Sequence, residues 1–199
     1  MICLCLTLAA APAQAIAILV LGDSLSAGYG IRQDDAWPSL LSGKLQNNPA
    51  LAGKKMRVIN ASISGETTAG GRHRLPALLR QHRPDIVIVE LGANDGLRGL
   101  PLASMKDNLS GMLAQIKTSG ARAILVGMRL PPNYGTYAKN FQQTFADIAR
   151  QTKTPYVPFL LQGLSQSAEH FQSDGLHPTR EAQSIVLENV WPTLQPLLR

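Results

Sequence analysis

Apolar runs and amphipathic segments alternate along the chain in a regular order. Unbroken runs of Ile, Leu and Val begin the stretch 15–26 and fill 85–91, which is typical of strands buried on both faces of a parallel sheet. Shorter apolar segments predict three more strands, at 56–61, 123–128 and 156–160. The spacing of apolar residues predicts five helices, at 37–45, 75–82, 104–118, 137–151 and 179–198, and Pro192 is expected to kink the last one.

Strands that alternate with helices predict an α/β domain, built on a parallel sheet with right-handed crossovers. Residues 62–71 and the segment after Asn94 are predicted to be loops. The chain has 199 residues, 45% of them hydrophobic and 16% charged, which indicates a folded globular protein with a substantial core. It contains no repeat, linker or low-complexity segment, so a single domain is expected over 16–199.

The first fifteen residues differ from the rest, because they carry no charge and end in Ala13-Gln14-Ala15. An apolar run followed by an A-x-A pattern predicts a secretory signal peptide, although the usual basic start is missing. Cleavage near Ala15 would place the protein in the periplasm or outside the cell. Both cysteines, Cys3 and Cys5, lie in this segment, so the mature chain would have no thiol for a disulfide or a thiolate metal site.

The formal net charge is +6, but the basic residues are scattered along the sequence. No run is dense enough to predict a nucleic-acid partner, and a solvated basic surface is the favoured interpretation. Weak contact with anionic lipid surfaces or anionic substrates stays open. A monomer is expected.

Polar residues and glycines follow several of the predicted strands. In a parallel sheet with right-handed crossovers, strand ends of this kind converge on one edge. Converging loops would bring together a hydroxyl, an imidazole, a carboxamide and backbone N–H donors, which are the groups that nucleophilic acyl transfer needs. The segments are Gly22-Asp23-Ser24, residues 62–66, residues 92–96 and residues 174–178.

Ser24 is the candidate nucleophile, and it needs a neighbouring base. His177 suits that role, because it follows an Asp-Gly turn and precedes a rigidifying proline, whereas the other histidines lie in polar stretches. Asp174 lies within reach of the His177 ring and would hold its tautomer. An Asp-x-x-His pair also arises as a local capping interaction, and that alternative stays open.

Three groups are candidate donors to the oxyanion of a tetrahedral intermediate: the backbone N–H of Ser24, the N–H of Gly65 and the side-chain amide of Asn94. Taken singly, Gly65 is also explained as a turn glycine and Asn94 as a turn-forming residue.

The ordered motifs GDSLS, the glycine of NASISGETTAGG, GAND and DGLHP resemble the SGNH-hydrolase superfamily of GDSL esterases and lipases. More closely, the chain resembles the group of secreted bacterial thioesterases, lysophospholipases and arylesterases. The resemblance implies a flavodoxin-like three-layer α/β/α sandwich around a mostly parallel five-stranded sheet. It also implies Ser24, Asp174 and His177 as the triad, with Ser24, Gly65 and Asn94 as the oxyanion hole. The chain departs from the usual pattern at Ala93, where glycine is common, and at Glu66, where aspartate is common.

The resulting expectation is a serine hydrolase that cleaves acyl esters and thioesters and needs no cofactor or metal. The G-x-S-x-G elbow of α/β-hydrolases and the H-E-x-x-H metal motif are both missing from the sequence. A carbohydrate O-deacetylase and a non-catalytic lipid-binding module are the alternatives. Candidate substrate contacts are Leu97, in a glycine-flanked segment that would hinge over an acyl chain, and Leu130, Pro131 and Tyr134.

Overall fold

A five-stranded parallel sheet forms the centre of the molecule, in the strand order β2-β1-β3-β4-β5. The structure, a computed structural model, describes residues 15–164 and 167–198. The parallel sheet predicted from the alternating pattern is confirmed. Its strands are β1 (Ile16–Gly22), β2 (Met56–Asn60), β3 (Ile86–Glu90), β4 (Arg122–Val126) and β5 (Tyr156–Val157).

Helices cover both faces of the sheet, which confirms the three-layer α/β/α arrangement. Helices α2 and α7 pack together in one layer, while α3, α5 and α6 pack side by side in the other. The helices are α1 (Ser24–Ala27), α2 (Trp37–Gln46), α3 (Thr68–His82), α4 (Ala93–Leu97), α5 (Leu102–Thr118), α6 (Gly135–Thr152) and α7 (Gln183–Leu194).

The core lies between the sheet and these layers. Every residue of β3 is buried, as the unbroken apolar run predicts. The apolar stripe predicted for α5 is buried along its whole length, from Met105 to Ile116. On α6, the rings of Phe141 and Phe145 meet edge to face, with 5.1 Å between their centroids.

The prediction of a loop over 62–71 is wrong at its end, because α3 begins at Thr68, seven residues before the predicted helix. The side chain of Thr67 caps the helix, and buried Asp95 accepts hydrogen bonds from the backbone N–H and the hydroxyl of Thr68. Gly71, which suggested a loop, lies in the helix where a Cβ atom would collide with Leu91. Tertiary packing therefore overrides the low helix propensity of glycine here.

Two further boundaries differ from the sequence-based expectation. The segment after Asn94 is helix α4 rather than a hinge loop, and a Cβ atom on its Gly96 would lie 2.6 Å from Phe141, so close packing on α6 requires the glycine. The last helix spans Gln183–Leu194 with Pro192 inside it, and a 3₁₀ turn over Gln195–Leu198 follows.

The predicted signal peptide lies outside the described residues, apart from Ala15, and stays a prediction. Among the described residues, no helix is both long enough and apolar enough to cross a membrane.

Candidate active site

Ser24 lies two residues after the end of β1, where it begins the short helix α1. Asp23 caps this helix, because its carboxylate accepts a hydrogen bond from the backbone N–H of Leu25 at 3.0 Å. Gly22 lets the turn approach β3 closely, since a Cβ atom there would lie 2.7 Å from a carboxylate oxygen of Glu90. The turn therefore presents the Ser24 hydroxyl at the carboxyl edge of the sheet.

Ser24, His177 and Asp174 form a continuous hydrogen-bonded chain. Ser24 Oγ lies 2.8 Å from His177 Nε2, and His177 Nδ1 lies 2.7 Å from Asp174 Oδ2. A ring whose Nδ1 donates to the carboxylate leaves Nε2 free to accept the serine proton. The structure thus brings together the three residues that the sequence singled out for acyl transfer.

Asp174 is an exposed carboxylate whose charge is stabilised locally. Its Oδ1 accepts hydrogen bonds from the backbone N–H groups of His177 at 3.0 Å and Leu176 at 2.8 Å. These two bonds, followed by the bond to the His177 ring, lower the pKa of Asp174 to about 2. Asp174 therefore makes both the local capping hydrogen bonds, which the sequence left open as an alternative, and the hydrogen bond to the His177 ring.

The loop that carries Asp174 and His177 is tied to the segment after α1. Gln172 Nε2 donates to the carbonyl oxygen of Tyr29 at 2.7 Å and to that of Pro178 at 3.1 Å. An antiparallel bridge between Phe171 and Pro178 closes the base of the loop. Sequence reasoning missed the tie to Tyr29, because it joins positions 143 residues apart and no local pattern marks it.

The three candidate oxyanion donors surround the same cavity as His177. Gly65 has φ +78°, a left-handed conformation that favours glycine, and its carbonyl oxygen accepts a hydrogen bond from Arg98 at 3.1 Å. Asn94 lies in the first turn of α4. Its Nδ2 donates to Asp23 Oδ2 at 3.1 Å and to the carbonyl oxygen of Glu66 at 3.0 Å. An oxyanion must therefore displace or share one of these two hydrogen bonds.

Glu66 stands where aspartate is common, and its surroundings accommodate the longer side chain. Arg74 pairs with its carboxylate and also donates to the carbonyl oxygen of Ala61 at 2.9 Å. Gly70 leaves the space for this carboxylate, since a Cβ atom at Gly70 would collide with it. The other departure, Ala93, is buried at the start of α4 and lines the cavity.

Two carboxyl groups are buried directly beneath Ser24. Burial is the main cause that raises the pKa of Asp23 to about 6. Burial, followed by the nearby charge of Asp23, raises the pKa of Glu90 well above its usual range. Ser26 donates to Glu90 Oε2 at 2.6 Å and accepts from the indole N–H of Trp37 at 3.1 Å.

A cavity of about 600 Å³ extends from Ser24 along the carboxyl edge of the sheet. Of the candidate substrate contacts, Leu97, Leu130 and Pro131 line it, together with Phe159 and other apolar side chains that the sequence did not single out. Tyr134 does not line the cavity, and its hydroxyl instead donates to the carbonyl oxygen of Leu97 at 3.2 Å. The cavity is therefore a largely apolar groove that contains Ser24 in its lining.

Several known proteins are similar to this chain in both sequence and fold. Residues 20–185 match the GDSL-like Lipase/Acylhydrolase family. The chain is 47% identical to an arylesterase of Vibrio mimicus over 174 residues, which cover 87% of this chain and 85% of that protein. It is 42% identical to thioesterase 1/protease 1/lysophospholipase L1 of Escherichia coli K12 over 182 residues, which cover 91% and 84% of the two chains. The crystal structure of TesA matches with a TM-score of 0.85 at 47% identity, covering 91% of this chain and 99% of that one.

Proposed function

The chain belongs to the GDSL-like Lipase/Acylhydrolase family and is an acyl ester hydrolase, and we propose that it acts through an acyl-enzyme formed on Ser24. The family resemblance expected from the motifs is confirmed. The observation that carries the proposed mechanism is the hydrogen-bonded chain from the Ser24 hydroxyl through His177 to Asp174.

Acylation begins when His177 Nε2 takes the proton of the Ser24 hydroxyl and the oxygen attacks the carbonyl carbon of the substrate. The carbonyl oxygen becomes an oxyanion, for which the N–H groups of Ser24 and Gly65 and the amide of Asn94 are the proposed donors. When the tetrahedral intermediate collapses, the bond to the leaving group breaks. His177 then gives its proton to the departing alcohol or thiol.

Deacylation repeats these steps with water as the nucleophile. His177 takes a proton from water, the hydroxide attacks the Ser24 ester, and the proton returns to the serine oxygen as the fatty acid leaves. Asp174 stabilises the imidazolium in both halves and stays ionised throughout, because its pKa is about 2. No redox step or cofactor enters this cycle.

Carboxylic esters and thioesters with extended acyl chains are the proposed substrates. The apolar groove supports this class, since a hydrocarbon chain buried there gains about 0.8 kcal/mol per CH₂ group. The similarity to an arylesterase and to a thioesterase 1/lysophospholipase L1 supports aryl esters, thioesters and lysophospholipids as substrate classes. A carbohydrate O-deacetylase would need polar contacts for sugar hydroxyls, and the apolar lining at Leu97, Leu130 and Phe159 does not favour it.

We also propose that residues 1–15 direct export and are removed near Ala15, so that a single domain from residue 16 onward acts in the periplasm or outside the cell. N-terminal sequencing of protein recovered from a periplasmic extract tests this directly. Material that still begins at Met1 would contradict it.

Covalent labelling tests the nucleophile. A fluorescent alkylphosphonate is expected to label the wild-type protein at Ser24 and to leave Ser24→Ala unlabelled, with circular dichroism showing that the variant is folded. Ser64→Ala is the matched control, because Ser64 lines the same cavity but is not part of the hydrogen-bonded chain through His177. The Ser64→Ala variant should still be labelled at Ser24. Labelling of Ser24→Ala at another serine would overturn the assignment.

A further inference from the structure

The positive charge of the protein is concentrated at the end of the sheet where the strands begin. This end, here called the basic face, consists of the first residues of the strands, the loops before them and the last two turns of α3, α5 and α6, the helices of one layer. It carries nine basic side chains and two acidic ones, Asp85 and Asp147. The basic residues are Lys54, Lys55, Arg57, Arg80, Arg83, Lys117, Arg122, Arg150 and Lys153.

The rest of the described chain has a small acidic excess, with nine basic residues against eleven acidic ones. The positive net charge of the described residues therefore comes from one end of the molecule rather than from the whole surface. The scattered distribution that the sequence suggested is not retained in the fold, because each crossover returns the chain to this end just before the next strand.

Helix dipoles account for only part of this pattern. A basic residue in the last turn of a helix is favoured by the partial negative charge of the helix C-terminus, which explains Arg80 and Lys117. Lys55, Arg57 and Arg122 lie on a loop and two strands, where no such effect acts. Within the part of the chain that the structure describes, none of these three side chains has an acidic partner within 4 Å.

A polar recess of about 630 Å³ opens on the basic face. Arg83 and Arg122 line it, together with Ser119 and Asp85. Two arginines in the lining suit this recess to a phosphate group, because guanidinium groups bind phosphate oxygens well. The face thus offers both a broad positive field and a local site for an anionic headgroup.

We propose that the basic face docks the protein on an anionic phospholipid surface, with the mouth of the apolar groove directed away from it. Charge complementarity carries this proposal, and the proposed catalytic residues play no part in it. A single-stranded nucleic acid would be expected to find aromatic side chains for stacking. The exposed large apolar residues of the described chain all lie at the opposite end, around the groove: Tyr29, Ile63, Leu97, Leu100 and Leu176.

Docking in this orientation leaves the proposed active site free. The seven residues of β1 separate the basic face from Ser24 by roughly 20–25 Å, at about 3.3 Å per residue. This is more than twice the Debye length of about 8 Å at physiological ionic strength. Charge changes on the basic face should therefore alter binding to vesicles without altering turnover of a soluble ester.

Co-sedimentation with vesicles tests the docking. The protein is expected to bind vesicles of phosphatidylcholine mixed with phosphatidylglycerol, to ignore vesicles of phosphatidylcholine alone, and to dissociate in high salt. Each basic residue near such a surface contributes about fivefold to partitioning. A variant that combines Lys55→Gln, Arg57→Gln, Arg83→Gln and Arg122→Gln should therefore bind about 600-fold more weakly.

The matched control removes four basic residues elsewhere, through Arg32→Gln, Arg72→Gln, Lys106→Gln and Lys139→Gln. It lowers the net charge by the same amount and should keep most of the binding. Equal losses of binding in both variants, or equal binding to both kinds of vesicle, would overturn the proposal.

A second experiment tests the orientation of the docked protein. Turnover of a water-soluble acetate ester should be unchanged when the protein is bound to vesicles, and inhibition of turnover would show that the groove mouth docks instead. Preferential binding to heparin or DNA would identify a different partner.

Discussion

The phenol ring of Tyr29 lies against the imidazole of His177, with 4.5 Å between the ring centroids and 38° between their planes. Tyr29 follows α1 and is about half exposed, so its ring forms a wall beside the proposed base at the mouth of the groove. The contact restricts the ring positions available to His177 on an otherwise exposed loop. We therefore expect Tyr29 to act as a positioning residue for the proposed proton transfer.

Replacement of Tyr29 by alanine is expected to lower kcat roughly threefold to tenfold, because ring contacts of this kind contribute about 0.5–1.5 kcal/mol. The loss should be the same for 4-nitrophenyl acetate and for long-chain esters, since it arises at the imidazole. Tyr29→Phe keeps the ring and should restore kcat.

Leu97→Ala is the control for Tyr29→Ala, because Leu97 lines the same groove. It should weaken only the turnover of long-chain esters. A Tyr29→Ala variant that raised KM for long chains and left the acetate unaffected would show that Tyr29 merely binds substrate.

Asn94→Ala should lower kcat by about 10²–10³-fold, the usual effect of losing one oxyanion donor. The loss is expected to appear in kcat rather than KM, because the oxyanion exists only beyond the ground state. Steady-state kinetics on a soluble ester measure the effect. Asn133→Ala, in an exposed 3₁₀ turn, is the control, and a similar loss there would point to a general structural effect.

Glu66 and Gly70 should be energetically coupled. Gly70→Ala alone is expected to destabilise the protein, because the new methyl group would collide with the Glu66 carboxylate that Arg74 holds. Glu66→Asp shortens that side chain and should relieve the collision. A double-mutant cycle by urea unfolding should therefore give a coupling of about 1 kcal/mol, and strictly additive effects would contradict it.

The buried carboxyl groups predict a pH dependence of stability. The pKa values of Asp23 and Glu90 are both raised in the folded state. The contribution of Asp23 to stability is therefore full below about pH 4 and is lost as the pH rises through about 6. The contribution of Glu90 is lost in the same direction, as the pH rises through its raised pKa. From Asp23 alone, the unfolding free energy should fall by roughly 2–3 kcal/mol between pH 4 and pH 7. Glu90→Gln removes one of the two charges and should make this fall smaller.

Urea unfolding at several pH values measures the effect. The control is Glu181→Gln, because Glu181 is exposed and the substitution should leave the pH dependence as in the wild type. The same slope in Glu90→Gln and wild type would show that the buried pair does not control it.

Leu97→Ser and Leu130→Ser should shift the acyl-length profile toward shorter chains, because each removes apolar surface from the groove. Relative kcat/KM for a series of nitrophenyl esters measures the shift. Tyr134→Phe is the comparison, since Tyr134 lies behind Leu97 and outside the groove lining, and it should leave the profile unchanged. An unaltered profile in both serine variants would exclude a role in chain length.

The sheet and the meeting of Ser24 with His177 were predictable from the sequence, because both depend on signals that the chain carries locally. Apolar runs mark the strands, and glycine followed by a polar residue marks their carboxyl ends. Parallel topology then brings these ends to one edge without any further information.

Other parts depend on contacts that no local pattern reveals. The start of α3 is set by hydrogen bonds from Thr68 to Asp95, 27 residues away, while Gly70 and Gly71 favour a loop by propensity. The contact between Tyr29 and His177 depends on how two loops fold over each other. Likewise, the basic face forms only in the folded chain, where the crossovers bring the starts of the strands to one end of the sheet.

Asp174 and His177 are separated by two residues on one loop, whose base is closed by the bridge between Phe171 and Pro178. Ser24, Gly65 and Asn94, in contrast, follow three neighbouring strands. The acid and the base can consequently be exchanged together, by grafting residues 171–178 from a homologue with a different pH optimum, while the half of the site built on the sheet stays untouched.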